Sequence, residues 1–250
     1  MTDWGLLDPG ATDTTGTDDD AVLSAMVDVE RALLLAWGDE LDEFLEPQAD
    51  ALDPAALDRG VLAEGVAHDA VPVVALVPAL RAQLEAIGLS ADRLHLGATS
   101  QDVLDTALML VARDALLATR SALVEAGARL AALADAERHG LRIARSIARH
   151  AEASTLGVLA AGWLDGVGSA IVAIDALAFP VQFGGAVGTG TAADAAAGRP
   201  GAADAVRADL AARLGLADPG RAWHAERTPV LAVASATALG RIANDVTFLS

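Results

Sequence analysis

An all-α fold is what this sequence predicts, and three observations predict it. The chain of 250 residues is 53% hydrophobic but only 3% aromatic, and it contains no tyrosine, which is typical of packed helices rich in alanine and leucine. Residues 103–137 form an apolar run with no proline and one glycine, Gly127, enough for a helical rod of roughly 50 Å. Other apolar segments repeat at helical spacing. We predict a small N-terminal helical domain over residues 1–98 and a long antiparallel helix bundle over residues 99–250.

Turn signals and caps divide the first domain into helices. Residues 1–20 are polar and rich in Asp, Thr and Gly, so we expect an extended arm. Apolar residues recur at helical spacing over residues 21–37, and residues 38–50 are acidic and irregular. Two more helices are expected: one that begins at Asp53 and Pro54, with proline in its first turn, and one over residues 71–87 that Pro78 should kink.

The second domain is expected to contain two long rods joined by a short connection over residues 141–149 that can be extended. The second rod covers residues 154–177 and carries glycines at positions 157, 162, 166 and 168. Each glycine costs about 1 kcal/mol relative to alanine in a helix, so this spacing indicates a close-packed helix interface. Beyond this rod we predict a glycine-rich turn over residues 184–190, a helix over residues 202–214 and a last helix from Pro229 onwards.

Charge and composition exclude several classes of function. The chain has no cysteine, so disulfides, zinc thiolates and thiol catalysis are excluded. Its net charge is −18 and all 17 basic residues are arginine, so we expect no nucleic-acid partner. An anionic substrate would need a site built locally from arginines and helix N-termini. We also expect no secretory signal and no membrane span, and therefore a cytoplasmic protein.

The first chemistry-bearing stretch opens the first rod. Residues 97–107 read GATSQDVLDTA, and Thr99 and Asp102 have the spacing of a capping box. Such a turn places backbone N–H groups and hydroxyls at the positive end of a helix, where carboxylates bind well. The competing interpretation of an isolated T-x-x-D is a plain helix cap.

Residues 97–107 resemble the first signature of the fumarase/aspartase superfamily, whose members make or break a bond beta to a carboxylate. The resemblance implies an all-α fold without a metal or other cofactor. It also implies that this turn binds a substrate carboxylate, with Thr99, Gln101 and Asp102 at the substrate and the Ser100 hydroxyl at the reacting portion. Within the superfamily, the chain looks most like the 3-carboxy-cis,cis-muconate cycloisomerases.

A second stretch, residues 145–157, carries a histidine between an arginine and the start of a helix. His150 in this setting is suited to general acid catalysis near neutral pH, although a partly buried cap histidine is the plainer interpretation. The stretch resembles the second region of the superfamily, and Arg145 and His150 occupy its matching positions. Ile147 stands where the lyases have a histidine, as in the cycloisomerases. Ala153 and Arg149 depart from the pattern.

The third and fourth stretches complete the expected site. Residues 182–189 match the family turn that lines the active site, which implies substrate contacts for Gln182, Gly185 and Thr189. Residues 188–193 also fit a loose dinucleotide-binding pattern, but that pattern requires a βαβ unit, which is not expected here. In the fourth stretch, His224 and Arg227 match a cycloisomerase pattern, with Arg227 as a candidate carboxylate clamp or an exposed arginine before a helix.

His68 and His139 lie outside the four motif stretches, and the signature loop of the superfamily is not among residues 1–250. We expect His68, next to Asp69, to be a helix-end histidine, although adenylosuccinate lyases use a histidine near this position. His139 is expected to be exposed. The flexible signature loop of the superfamily, which carries the serine base of the lyases, would follow residue 250. The resemblance therefore covers the first part of a family member, and the chain is either a piece of a longer product or works without that loop.

The resemblance implies a specific reaction. A carboxylate of 3-carboxy-cis,cis-muconate adds internally across a C=C bond, forming a γ-lactone in protocatechuate and β-ketoadipate catabolism. Thr99 and Ser100 would hold the substrate carboxylate, His150 would transfer the proton, and Arg145 or Arg227 would neutralise charge. The family forms homotetramers with shared active sites. Alternatives are a fumarate-releasing lyase of the adenylosuccinate or argininosuccinate type, and an inactive helical assembly protein.

Overall fold

The computed structural model describes residues 16–147, 149–223 and 226–230. It is predominantly helical, which confirms the predicted fold class. In chain order the elements are α1 Asp19–Leu41, α2 Glu46–Ala51, a 3-10 turn Pro54–Ala56, α3 Arg59–Asp69, α4 Val73–Ala86, α5 Ser100–Ala136, β1 Leu141–Ser146, β2 Arg149–Thr155, α6 Leu156–Asp175, α7 Thr191–Ala197 and α8 Ala202–Leu214.

The chain divides into two compact units. The first comprises residues 1–113 and 178–230, and the second comprises residues 114–177 and 231–250. The predicted domain boundary near residue 98 is a different division, and it stays a prediction. Most of the predicted N-terminal arm and most of the predicted last helix lie outside the described residues.

The core of the first unit is organised around α1. Asp18 caps this helix, since its Oδ1 accepts a hydrogen bond from the Ala21 N–H at 2.9 Å, and Trp37 is fully buried near the other end. The helix ends only at Leu41, where Asp42 adopts a left-handed backbone with φ 54°. The segment predicted to be irregular therefore contains the last turn of α1 and also α2.

One predicted helix start in the first unit needs correction. Asp53 caps only a short 3-10 turn, and α3 begins after Asp58, whose carboxylate accepts from the N–H groups of Gly60 and Val61. Asp58 determines where α3 begins, because its side chain accepts hydrogen bonds from two N–H groups of the first turn. Pro78 lies inside α4, which continues through it from Val73 to Ala86.

The second unit contains the rest of α5, a β-hairpin and α6. β1 pairs antiparallel with β2, and Arg145 lies opposite His150. β1 lies in the predicted connection and is extended, as the sequence allowed, but the extended segment is longer than predicted because β2 completes a hairpin. Helix α6 therefore begins only after Thr155, whose hydroxyl accepts from the Val158 N–H. An ion pair between Arg120 and Asp175 joins α5 to α6 at 2.5 Å.

The glycines of α6 meet the packing expectation only in part. A Cβ on Gly157 would lie 2.6 Å from the carbonyl oxygen of Ala134, so α5 and α6 approach closely there. Added Cβ atoms at Gly162 and Gly168 would meet nothing within 4 Å among the described residues. By length and composition alone α6 could cross a membrane, which is weak evidence because core helices of soluble proteins pass the same test.

Candidate active site

Asp102 is the centre of a hydrogen-bonded frame at the start of α5. Its side chain is 1% exposed. Oδ2 accepts from the backbone N–H groups of Thr99 at 3.0 Å, Gly184 at 3.3 Å and Gly185 at 2.8 Å, and Oδ1 accepts from Gln182 Nε2 at 2.9 Å. The bond from Thr99 is the carboxylate half of the predicted capping box. The bonds from the other residues fasten the glycine-rich turn to the N-terminus of α5.

Gln182 extends this frame to the fourth stretch. Its Oε1 accepts from the Trp223 N–H at 2.7 Å, and the Trp223 indole donates to the carbonyl oxygen of Val181 at 2.8 Å. The Thr106 hydroxyl accepts from the Gln182 N–H at 2.8 Å and donates to the Gln182 carbonyl at 3.1 Å. All of these groups are buried, so each polar atom has its partner inside the protein. Three separate stretches of sequence thereby form one rigid structure.

Glycine is required where the backbones meet. Gly97 and Gly185 have φ values of +70° and +72°, a region that side chains rarely adopt. A Cβ on Gly185 would lie 3.0 Å from the Gly97 carbonyl oxygen, and one on Gly184 would lie 2.5 Å from the Ala222 Cβ. In this structure they let one backbone segment approach another.

Arg227 contacts the same helix one turn beyond the frame. Its Nη2 donates to Asp105 Oδ1 at 2.7 Å, and Gln101 Nε2 donates to the same oxygen at 2.7 Å. The Asp105 side chain is fully buried, whereas that of Arg227 is 43% exposed. Burial raises the pKa of Asp105, while the hydrogen bonds from Arg227 and Gln101 act in the opposite direction. Arg227 therefore bridges a buried carboxylate and the surface.

A histidine–glutamate pair that the sequence reasoning missed lies just before the turn. His95 Nδ1 is 2.6 Å from Glu30 Oε1, and Glu30 is fully buried. The His95 backbone is left-handed with φ 61°, and the Trp37 indole donates to the carbonyl oxygen of Leu96 at 2.9 Å. One signal was available: Glu30 occupies an otherwise apolar face of α1, and a carboxylate at a core position requires a polar partner.

The structure places the remaining predicted residues as follows. Thr99 and Ser100 are half-buried at the start of α5. Thr189 is exposed, with its hydroxyl 2.8 Å from that of Thr191. Arg145 and His150 lie on exposed hairpin strands of the second unit. His224 lies outside the described residues.

The side chains of Asp102 and Gln182 are engaged in hydrogen bonds within the frame. With both Asp102 oxygens and the Gln182 amide engaged by protein groups, their observed contacts favour a role in holding the turns. Direct substrate binding by either residue stays a prediction. His68 is 87% exposed on its side chain and pairs with neighbouring Asp69 at 2.7 Å, as expected of a helix-end histidine.

The chain is mostly α-helical, and a capped turn at the start of a long helix is bonded to the third and fourth motif stretches. This is the architecture of fumarase/aspartase-type lyases. The family described as lyase matches residues 55–250. Nitrosuccinate lyase of Streptomyces davaonensis is 38% identical over 100% of this chain and 56% of its own length. A 3-carboxy-cis,cis-muconate cycloisomerase of Bradyrhizobium diazoefficiens is 35% identical over 93% of this chain and 53% of its own length.

A solved structure agrees with these relatives. The 3-carboxy-cis,cis-muconate lactonizing enzyme from Pseudomonas putida superposes with a TM-score of 0.80 at 29% identity, covering 91% of this chain and 53% of that one. The chain therefore belongs to the lyase family, and its resemblance to the cycloisomerases is confirmed. It spans about half the length of the relatives that it matches.

Proposed function

We propose that this chain binds a small polycarboxylate and carries the N-terminal part of a 3-carboxy-cis,cis-muconate cycloisomerase-like active site. The observation that carries the proposal is the Asp102 frame, which joins three motif stretches and leaves Thr99 and Ser100 half-buried at the N-terminus of a helix of 37 residues. A helix N-terminus favours anions through its free N–H groups and its dipole. Local binding of this kind is what an acidic protein of net charge −18 needs to hold an anion.

The proposed reaction is an isomerisation. One substrate carboxylate oxygen forms a C–O bond to an alkene carbon, and the neighbouring carbon, alpha to another carboxylate, accepts a proton, so that no atom is lost. We assign proton delivery to His150 and contact with the substrate carboxylate to Thr99 and Ser100. Arg145 or Arg227 would stabilise the enolate-like charge that develops before the proton arrives. Gln101, Gly185, Thr189 and His224 remain proposed substrate contacts.

The β-hairpin supports a proposal of self-association. Among the residues that the structure describes, none of Arg142, Arg145 and Arg149 forms an ion pair. Ile147 at the hairpin turn is 94% exposed. The hairpin is basic and carries an apolar residue at its turn, whereas the protein as a whole is strongly acidic. The charge of the hairpin is therefore complementary to that of a second copy of the same chain. We propose a homotetramer in which the hairpin, with His150, reaches the frame of a neighbouring copy.

The experiment is a spectroscopic assay with purified chain and 3-carboxy-cis,cis-muconate. Loss of the diene absorbance with formation of a γ-lactone would support the proposal, and that reaction would belong to aromatic-acid breakdown in the cytoplasm. Light scattering on the same sample measures the assembly. A chain that neither binds nor converts the substrate, even when assembled as a tetramer, would contradict the proposed function.

A fumarate-releasing lyase is the second candidate, favoured by the 38% identity to nitrosuccinate lyase over the whole chain. Elimination from nitrosuccinate would break the C–N bond, remove a proton from the adjacent carbon and release nitrite and fumarate. The same frame would hold the substrate carboxylates. Nitrite and fumarate release from nitrosuccinate, with muconate unchanged, would favour this reaction over the cycloisomerisation.

A further inference from the structure

We infer that Asp105 is a positioning residue that orients the guanidinium of Arg227 toward a bound carboxylate. The inference rests on the proposed function, because it assumes that Arg227 meets an anionic substrate. Asp105 lies on α5 one turn after Gln101, fully buried, whereas Arg227 reaches from the fourth stretch to the surface. The ion pair thus joins a fixed buried group to a partly exposed one.

The geometry of the pair leaves donors of Arg227 uncommitted. Arginine and carboxylate groups commonly pair through two parallel hydrogen bonds. Here only Nη2 contacts Asp105, through Oδ1, at 2.7 Å. Asp105 Oδ2 and Arg227 Nε are buried without a hydrogen-bond partner among the described residues. Nη1 also forms no hydrogen bond in that part of the chain, so one edge of the guanidinium is anchored and another remains available to a ligand.

An ion pair selected only for stability would be arranged differently. Buried donors and acceptors without partners destabilise the folded chain, and a bidentate pair would remove two of them at once. The Arg227 backbone also has φ 49°, a conformation that residues other than glycine rarely adopt. Its N–H donates to the Trp223 carbonyl at 2.8 Å. Hydrogen bonds therefore hold both the backbone and the side chain of Arg227 in a conformation of raised energy. Strained residues of this kind are often found at binding sites.

The test is a double-mutant cycle on ligand binding. Calorimetry with tricarballylate, a saturated tricarboxylate that cannot react, gives the Kd of wild type, Asp105→Asn, Arg227→Met and the double variant. We expect Asp105→Asn to weaken binding by about 10-fold, and to have less than about a 2-fold effect when Arg227 is already methionine. Tighter binding in Asp105→Asn would mean that Asp105 competes for the guanidinium. Tighter binding, or an equal loss in both backgrounds, would overturn the inference.

Arg227→Lys tests the same idea from the exposed partner, in case a buried substitution unfolds the chain. Lysine keeps the positive charge, but its ammonium group lacks the planar set of donors with which a guanidinium can bind Asp105 on one edge and a ligand on the other. We expect it to lose binding about as fully as methionine. Binding that is retained to within about 3-fold of wild type would show that charge alone is needed, and would overturn a positioning role. Asp135→Asn, on the exposed part of the same helix, is the matched control and should bind as wild type.

A readout without ligand separates this inference from the proposed function. If wild type does not bind tricarballylate, the proposed function fails, while NMR of the Arg227 guanidinium still tests the pairing. Anchoring through Nη2 should slow rotation about the Nε–Cζ and Cζ–Nη bonds and the exchange of the Nη protons. We expect these signals to sharpen in wild type and to broaden in Asp105→Asn. Identical spectra in the two proteins would overturn the inference by themselves.

Discussion

Asp102 and Gln182 lie 80 positions apart in the chain and are joined by one hydrogen bond, from Gln182 Nε2 to Asp102 Oδ1 at 2.9 Å. This bond connects the turn that opens α5 to the turn that follows Val181. Because the other Asp102 oxygen accepts three backbone N–H groups, one carboxylate determines the relative position of both turns. A ligand bound at the start of α5 would therefore contact two turns whose positions the Asp102 carboxylate already fixes.

The first prediction concerns Asp102→Asn. An amide in place of the carboxylate keeps the size but loses a charge, and it puts an N–H₂ donor against groups that also donate. We expect the free energy of unfolding to fall by about 2–4 kcal/mol, since charged hydrogen bonds to buried groups are lost together. Urea denaturation measures the change. Exposed Asp135→Asn on α5 should change stability by no more than about 0.5 kcal/mol, and equal effects at both sites would contradict the assigned role of Asp102.

A second prediction compares two glycines. Gly185→Ala places a Cβ at φ +72° and 3.0 Å from a carbonyl oxygen, so we expect a loss of at least about 1 kcal/mol together with weaker carboxylate binding. Gly162 lies inside α6, where an added Cβ would meet nothing within 4 Å in the part of the chain that the structure describes. In the 250-residue chain Gly162→Ala should stabilise by up to about 1 kcal/mol. Denaturation midpoints measure both, and a stabilising Gly185→Ala would show that the turn is not as tight as described.

The third prediction is a pH dependence that arises at Asp105. Burial raises its pKa in the folded chain above the unfolded value, so the folded state binds this proton more tightly. That contribution to stability is fully present below the unfolded pKa and is lost as pH rises through the folded pKa. Asp105→Asn does not titrate. We therefore expect wild type to lose stability relative to this variant as pH rises from the ordinary aspartate value of 3.8 upward.

Urea denaturation of both proteins at a series of pH values gives this difference directly. Carboxylates with lowered pKa values, such as Glu43 beside Arg93, contribute equally to both proteins and cancel. A difference that stays constant across the acidic range, or that changes in the opposite direction, would contradict a raised pKa for Asp105.

Local chemistry explains which parts of the fold could be predicted. The helix over residues 103–137 and the helix over residues 202–214 were predictable because propensity, apolar spacing and caps all act within a few residues. Thr99 and Asp102 could be recognised as a capping pair for the same reason. Strand β1 could be expected only as part of an extended connection. Strand β2 could not be predicted, because its alanines favour helix and its alternation of apolar and polar residues is too short to outweigh them.

The candidate site residues could be named from sequence motifs, whereas their contacts could not. Gln182 could be named from its motif, whereas its bonds to Asp102 and Trp223 depend on how distant segments pack. Glu30 and His95 are 65 positions apart, and neither lies in a recognisable motif. Their pairing follows from the burial of α1. The spacing of apolar residues identifies the buried face of this helix, but it does not show which polar residue of that face finds a partner.

The last prediction separates the chemistry from the fold. His150 lies exposed on β2 opposite Arg145, so His150→Gln removes few contacts and should change stability by less than about 0.5 kcal/mol. As the proposed proton donor, it should lower turnover of 3-carboxy-cis,cis-muconate by about 10²- to 10⁴-fold, with a smaller effect on KM. His139→Gln, an exposed histidine just before the hairpin, is the matched control and should keep full activity. If both variants turn over substrate equally well, the proton comes from another group, and the exposed hairpin serves assembly alone.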